Sequence, residues 1–453
     1  VFLGNLNNGT TMEFDPVKNK WTAHAVKDDW NAETEFTLLP NGNMITVNCV
    51  TSPRTELYIP SLDQWIDDGP VPNVLAAIAD PSYVAELGPQ LLLPYGNVLA
   101  VGANGHTDYY TPSGSVSTAG SWAAGPTMPA DAGGNQLGTE DGPGCVLPSG
   151  NVLLCTSPAP VNGHGDFESG EVIYFEFNPT TNTYSQIEDP GTAAAADAAY
   201  GNRMLLLPTG QVLVTDGEVG SQVVVYTGAG SPNPAWAPVV SKGPSFIASG
   251  GTYALSGHQF NGLTAGAYYG DDVQTATNYP LVRVTNGSTG HVFYCRTHDH
   301  STMAVATGSQ TVSTNFDVPS GIETGPSTLE VVANGTSSAP VNITVLGGRD
   351  VTASISITRS SISYNKKSKL YTGTIKLLNK SKTTVSGPLN VLFEGLPSGV
   401  TLTNASGSKN GTPYITANIS SLAYKASVTL PVQFTAPSAS AITYTSAVIS
   451  GTP

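Results

Sequence analysis

Leu38-Leu-Pro-Asn-Gly-Asn-Met-Ile-Thr-Val47, Leu92-Leu-Pro-Tyr-Gly-Asn-Val-Leu-Ala-Val101, Val146-Leu-Pro-Ser-Gly-Asn-Val-Leu-Leu-Cys155 and Leu206-Leu-Pro-Thr-Gly-Gln-Val-Leu-Val-Thr215 are versions of one pattern. In each, an apolar run meets Pro-x-Gly and a second apolar run follows. Proline presets φ ahead of a bend and glycine accepts the positive φ inside it, so each copy predicts a β-hairpin. The turn glycines Gly42, Gly96, Gly150 and Gly210 are spaced by 54, 54 and 60 residues. Spacing that regular marks an array of similar units.

Most copies continue into a third strand with a Pro-bounded turn and then Trp or Tyr. Met12-Glu-Phe-Asp-Pro16 precedes Trp21, Leu57-Tyr-Ile-Pro60 precedes Trp65, Tyr109-Tyr-Thr-Pro112 precedes Trp122, and Tyr174-Phe-Glu-Phe-Asn-Pro179 precedes Tyr184. Four-stranded units in series are predicted to pack radially as the blades of a β-propeller. The Trp and Tyr set is expected to pack between blades, with ligand stacking as the lesser alternative. Val1-Phe-Leu-Gly reads as the second strand of a further, partial blade, so upstream sequence is expected to complete the ring.

Composition agrees with an all-β chain. The 453 residues include 49 Gly and 33 Pro, and only 11% are charged, a mix suited to short strands and tight turns. No apolar run approaches the length of a membrane span. The net charge of -15 argues against nucleic acid or an anionic membrane as the main partner. Residues 1–346 hold 8 Lys and Arg against 31 Asp and Glu, whereas 347–453 hold 10 against 2. An acidic front and a basic rear mark a domain boundary and could attract neighbouring copies head to tail.

The blade pattern stops near residue 240, where short alternating strands separated by Gly and Asn begin. Three domains are expected: a propeller over 1–240, a β-sandwich over 241–346, and a basic sandwich over 347–453. The propeller resembles the kelch type. The stretch from Ala276-Thr-Asn-Tyr-Pro-Leu-Val-Arg through His298-Asp-His-Ser-Thr-Met303, closing with Val331-Val-Ala-Asn-Gly335, resembles the immunoglobulin-like domain that follows the propeller in galactose oxidase and glyoxal oxidase relatives. The last 107 residues look like a further immunoglobulin-like or fibronectin-like module.

That resemblance implies a mononuclear copper held by two Tyr and two His, with one Tyr linked to a Cys. Carried onto this chain, the Tyr-His pair falls on Tyr200-Gly201, the crosslinked Tyr on Asp141, its Cys on residues 33–35, and the last His on His300. Two of five positions survive, so the expected role is non-catalytic and no cofactor is expected. A copper-radical oxidase using Tyr200 and His300 is the alternative. His298 and His300 are expected to alternate along a strand and share one face, either as a metal-ligating pair or as a hydrogen-bonded structural pair.

Acidic pairs at Glu33/Glu35, Asp67/Asp68, Glu140/Asp141 and Asp271/Asp272 are weaker candidates for Ca²⁺ binding or glycosidase chemistry. Cys145 and Cys155 lie symmetrically about Gly150, so a cross-strand disulfide or two buried thiols are both open. Few Lys and Cys, abundant Ser, Thr and Asn, and eight Asn-x-Ser/Thr triplets suggest an extracellular or cell-surface protein. Carbohydrate is a candidate ligand and self-assembly into a filament a candidate role. Lysines 366, 367, 369, 376, 380 and 382 offer a basic face or merely a solvated one.

Overall fold

The structure, a computed structural model, describes residues 1–453 except 33, 78–85, 161–171, 189–197, 217–222, 266, 270–272, 276–277, 438–440 and 453, with backbone alone at 216, 267–269 and 273–275. It is all-β. Among the described residues the only helical turns are three short 3-10 segments, Ala199–Gly201, Pro234–Trp236 and Thr352–Ser354. Among those residues no helix is long and apolar enough to cross a membrane.

Five antiparallel sheets follow one another along the first half of the chain. The first is Phe2–Gly4, Thr11–Asp15 and Lys20–Ala23; the second Thr37–Leu38, Met44–Val47, Arg54–Ile59 and Gln64–Pro70. The third is Gln90–Leu92, Val98–Val101, Thr107–Thr111 and Ser121–Ala124; the fourth contains Pro143–Val146, Val152–Pro158, Ile173–Asn178 and Thr183–Gln186. The fifth is Asn202–Leu206, Val212–Asp216 and Val223–Tyr226.

The four Pro-x-Gly copies all form hairpins with one geometry. Leu39, Leu93, Leu147 and Leu207 donate their N–H to the carbonyls of Asn43, Asn97, Asn151 and Gln211, and each turn Gly N–H returns to the same Leu carbonyl. The loop is therefore the three residues Pro-x-Gly, with glycine at φ 86°, 86°, 88° and 84° in the left-handed region that a Cβ disfavours.

Burial is complete in the first strands of the third and fourth sheets, Gln90–Leu92 and Pro143–Val146, and falls away to the mostly exposed last strands Ser121–Ala124 and Thr183–Gln186. The first strands of successive sheets lie against one another, Thr37–Leu38 on Gln90–Leu92, then Pro143–Val146, then Asn202–Leu206. One core, including Ile45, Leu91, Leu99, Val152 and Phe177, runs through the second to fourth sheets. The expected packing role of the recurrent aromatics is seen in three of them. Trp65 Nε1 donates to Ala25 O at 3.1 Å, Trp122 Nε1 to Thr55 Oγ1 at 3.2 Å and Tyr184 OH to Pro126 O at 3.2 Å, each tying its sheet to the segment before it. Trp21 is 49% exposed and rests on Phe14.

Beyond the fifth sheet, the strands pass from one expected domain to the next without a break. Val239–Lys242 crosses the 240/241 boundary and pairs with Thr252–His258. Val341–Asp350 crosses 346/347: its earlier residues pair with Gly325–Ala333, and its last two with Thr445–Ser450 of the C-terminal unit. The middle unit closes over a core containing Phe260, Val282, Cys295, Phe316 and Val331. In the last unit, Leu370–Asn379 and Ser427–Thr435 belong to one sheet, and Leu389–Glu394, Thr412–Ala417 and Thr445–Ser450 to another. Ile375, Phe434, Val391, Phe393 and Val448 from the two sheets share one core.

Candidate functional site

Eight residues before the turn proline, the four repeats carry Ala32, Glu86, Glu140 and Tyr200. These positions lead into the first strands of consecutive sheets, which pack on each other. A strand from the middle unit joins them: Ala267–Tyr269 pairs antiparallel with Pro143–Val146, Cys145 opposite Ala267, and with Val273–Thr275 on its other side. It also lies against Gln90–Leu92 and Asn202–Leu206. A hairpin of the middle unit thus adds to the first strand of the fourth sheet, beside the residues where the resemblance would put a copper centre.

Glu35 is 1% exposed and its Oε2 accepts the Gln90 backbone N–H at 2.5 Å, joining the second sheet to the third. Asp141, 8% exposed, sits at φ 46° in a turn where its N–H donates to Leu87 O at 2.9 Å. Gly142 follows, and an added Cβ there would lie 2.8 Å from both the Ala199 Cβ and the Cys155 carbonyl, so glycine permits the close approach of the 3-10 turn that carries Tyr200. The Arg203 guanidinium donates to the Tyr200 carbonyl and, at 2.8 Å, to Asn202 O, fixing the backbone of that turn.

His298 and His300 do not alternate along one strand. The strand Val292–His298 ends at the first of them, and Asp299 takes φ 51°, which turns the chain out of extended geometry. His298 Nδ1 meets Asp299 Oδ2 at 2.8 Å and its Nε2 meets Asp317 Oδ1 at 3.2 Å. The hydrogen bond from Asp299, with that from Asp317, raises its pKa above the usual histidine value. His300 Nδ1 instead meets Thr314 Oγ1 at 3.0 Å, and desolvation, together with the nearby His298, lowers its pKa. Tyr200 lies in the 3-10 turn Ala199–Gly201, and His300 lies two residues past the end of the strand Val292–His298 in the middle unit.

Among the described residues no three His, Cys, Asp or Glu side chains come together as a metal cage. The residues at the carried-over positions fit a copper-radical centre poorly. Residues 33–35, where the cysteine is needed, contain none, and Glu35 there is committed to a backbone amide; where the crosslinked tyrosine is needed Asp141 occupies a tight turn.

Cys145 and Cys155 are not opposite one another. The hairpin is centred on Ser149 rather than Gly150, which puts Leu153 opposite Cys145, while Cys155 faces Tyr174 across the next strand. Both are buried; the Cys145 Sγ lies 4.0 Å from Val146 O and the Cys155 Sγ 3.9 Å from Ala199 O. Burial pushes the Cys145 thiol up to about 12.

Of the acidic pairs, Glu33, Asp271 and Asp272 lie outside the described residues. Asp67 is bound by Arg54 at 2.9 Å, and Asp68, buried, accepts the Gly120 N–H at 2.7 Å. Lysines 366, 367, 369, 376, 380 and 382 are all exposed, and none enters an ion pair among the described residues. Sequence reasoning missed a buried polar group around Lys27, Asn48 and Glu56. No local pattern marks it, since Lys27 follows Lys18 and Lys20 closely and its partners come from a later hairpin.

No known protein family and no curated protein matches the chain. Among solved structures, a chitinase, ChiA74 from Bacillus thuringiensis, aligns at 13% identity over 64% of this chain and 45% of its own, with a TM-score of 0.16. SGBP-B from a xyloglucan utilization locus in Bacteroides uniformis aligns at 12% identity over 68% of this chain and 95% of its own, TM-score 0.19. A Salmonella alpha-2-macroglobulin aligns at 9% identity over 95% of this chain and 31% of its own, TM-score 0.14. The chain spans less than half of the chitinase, and scores this low support no shared fold.

Proposed function

We propose that this chain is a non-catalytic extracellular or cell-surface protein, a kelch-like propeller followed by two immunoglobulin-like sandwiches, that binds carbohydrate or assembles with copies of itself. The graded burial from first to last strand and the hairpin docked on the first strands support the propeller-and-sandwich reading. The observation that carries the non-catalytic role is the occupancy of the carried-over positions. Gly201, Asp141 and the run Glu33-Thr34-Glu35 stand where a radical centre requires a ligand, a redox tyrosine and a cysteine.

The charge division supports self-association. Exposed lysines of the C-terminal unit, without ion-pair partners among the described residues, face solvent, while the front carries exposed carboxylates such as Asp28, Asp67 and Asp299. A contact between unlike surfaces that does not close generates a filament. Exposed Trp21, Trp30 and Tyr95, at 49%, 48% and 65%, offer aromatic faces that suit sugar rings.

The test is copper analysis of protein from its native source, with peroxide release measured on alcohols and aldehydes after copper loading. The proposal expects neither stoichiometric copper nor peroxide. Both together would establish the oxidase and return attention to Tyr200 and His300.

A further inference from the structure

Lys27 is a lysine with no access to water, its side chain 0% exposed, and it lies against the carboxylate of Glu56, 3% exposed, at 3.2 Å. The same oxygen, Glu56 Oε2, accepts the Asn48 side-chain N–H at 2.8 Å. One carboxylate oxygen therefore touches both the amine nitrogen of a lysine and the amide nitrogen of an asparagine. All three side chains are buried, and Asn48 Oδ1 is enclosed without a hydrogen-bond partner. The rest of the group is held firmly: Glu56 Oε1 accepts the Asp28 N–H at 2.8 Å, Lys27 Nζ donates to Trp30 O at 3.3 Å, and Asn48 N–H donates to Arg54 O at 2.9 Å.

We propose that Lys27 and Asn48 become joined by an intramolecular isopeptide bond, with Glu56 as the proton-transfer group. The Lys27 amine attacks the Asn48 side-chain carbonyl carbon, forming the Nζ–Cγ bond. Glu56 takes a proton from the attacking nitrogen and delivers it to the Asn48 amide nitrogen. The Cγ–Nδ2 bond breaks and ammonia leaves, so no oxidant or other reactant is needed. The attack needs the neutral amine. Burial lowers the pKa of Lys27, with Glu56 and Asp29 opposing the shift, and so favours the neutral form. Enclosure also excludes water, which would otherwise compete for the carbonyl.

The bond would tie the segment after the first sheet to the second sheet. A fully enclosed lysine calls for more than charge pairing, because a buried ion pair alone seldom repays its desolvation.

The full-length protein tests this directly by mass spectrometry. The proposal expects an intact mass lower than the sequence by one ammonia. It also expects trypsin to fail after Lys27, giving residues 21–54 as one internally linked peptide with the same deficit. Because a succinimide at an Asn-Gly step loses ammonia too, the deficit must survive hydroxylamine, which opens succinimides and spares amides. Glu56→Gln, checked for folding by circular dichroism, should restore the full mass and the cleavage after Lys27. Full mass and normal cleavage in the unaltered protein would overturn the proposal, as would a deficit mapped elsewhere. A link retained in Glu56→Gln would remove Glu56 from the chemistry.

Discussion

Replacing Gly150 by alanine separates two roles of the repeated turn. All four turn glycines sit at nearly the same positive φ, so alanine costs each about 1–2 kcal/mol of backbone strain, partly offset by about 0.4–1 kcal/mol of reduced unfolded-state freedom. At Gly42 nothing lies within 4 Å of an added Cβ, so the net loss should stop at about 1 kcal/mol. At Gly150 the new Cβ would stand 2.7 Å from Trp236 Cη2 and 3.0 Å from its Cζ3. Displacing that indole, which rests edge-on against Tyr95 at 5.7 Å, adds a steric cost of about 1–3 kcal/mol. The turn Pro234–Trp236 is also tied to the hairpin by the Asn233 N–H donated to Pro148 O at 3.4 Å. Hydrogen exchange over residues 233–238 is the assay, since local opening reports local stability. Gly150→Ala should speed exchange there roughly tenfold for each 1.4 kcal/mol lost, whereas Gly42→Ala should leave that segment unchanged. Equal effects of the two variants at 233–238 would refute the packing argument.

The two histidines on either side of Asp299 should titrate on opposite sides of the ordinary value of 6.5, His298 above and His300 below, in histidine NMR spectra. By linkage, His298 stabilises the fold at low pH and loses that contribution as pH rises through its folded pKa; the reverse order of titration would sink this assignment. Asn379, 0% exposed, donates to Thr383 O and Leu422 O at 2.8 Å each, so Asn379→Ala should destabilise the C-terminal unit by about 2–4 kcal/mol in denaturant unfolding. The same burial should leave Asn379 without glycan in a glycosylating host, as peptide mass mapping would reveal. Arg283 and Glu330 face each other across paired strands with two hydrogen bonds, at 3.2 and 2.9 Å, and Arg283→Met should cost about 1 kcal/mol in the middle unit by thermal unfolding.

The hairpins were legible because Pro and Gly act locally. Their register was legible only to within one residue, and centring the loop on Gly150 rather than Ser149 made Cys145 and Cys155 look opposite when they are not. His298 and His300 misled for a related reason: alternation assumes an extended chain, and the positive φ of Asp299 breaks it. The repeat pattern ends near 240 and the charge changes sign near 346, yet the strands Val239–Lys242 and Val341–Asp350 run across both positions, because strand pairing follows backbone hydrogen bonds rather than sequence pattern or charge. The docking of Ala267–Tyr269 on Pro143–Val146, and the meeting of Lys27, Asn48 and Glu56, are contacts between distant segments that no local pattern encodes.

Sedimentation of the full protein at low and at near-physiological salt tests the proposed role most directly. Charges interact over about 30 Å at 0.01 M salt but only about 8 Å at 0.15 M. Association of acidic front with basic rear should give large assemblies, visible as filaments by electron microscopy, that disperse as salt rises. A protein that stays monomeric at low salt and high concentration would contradict self-assembly and leave carbohydrate binding as the function to pursue.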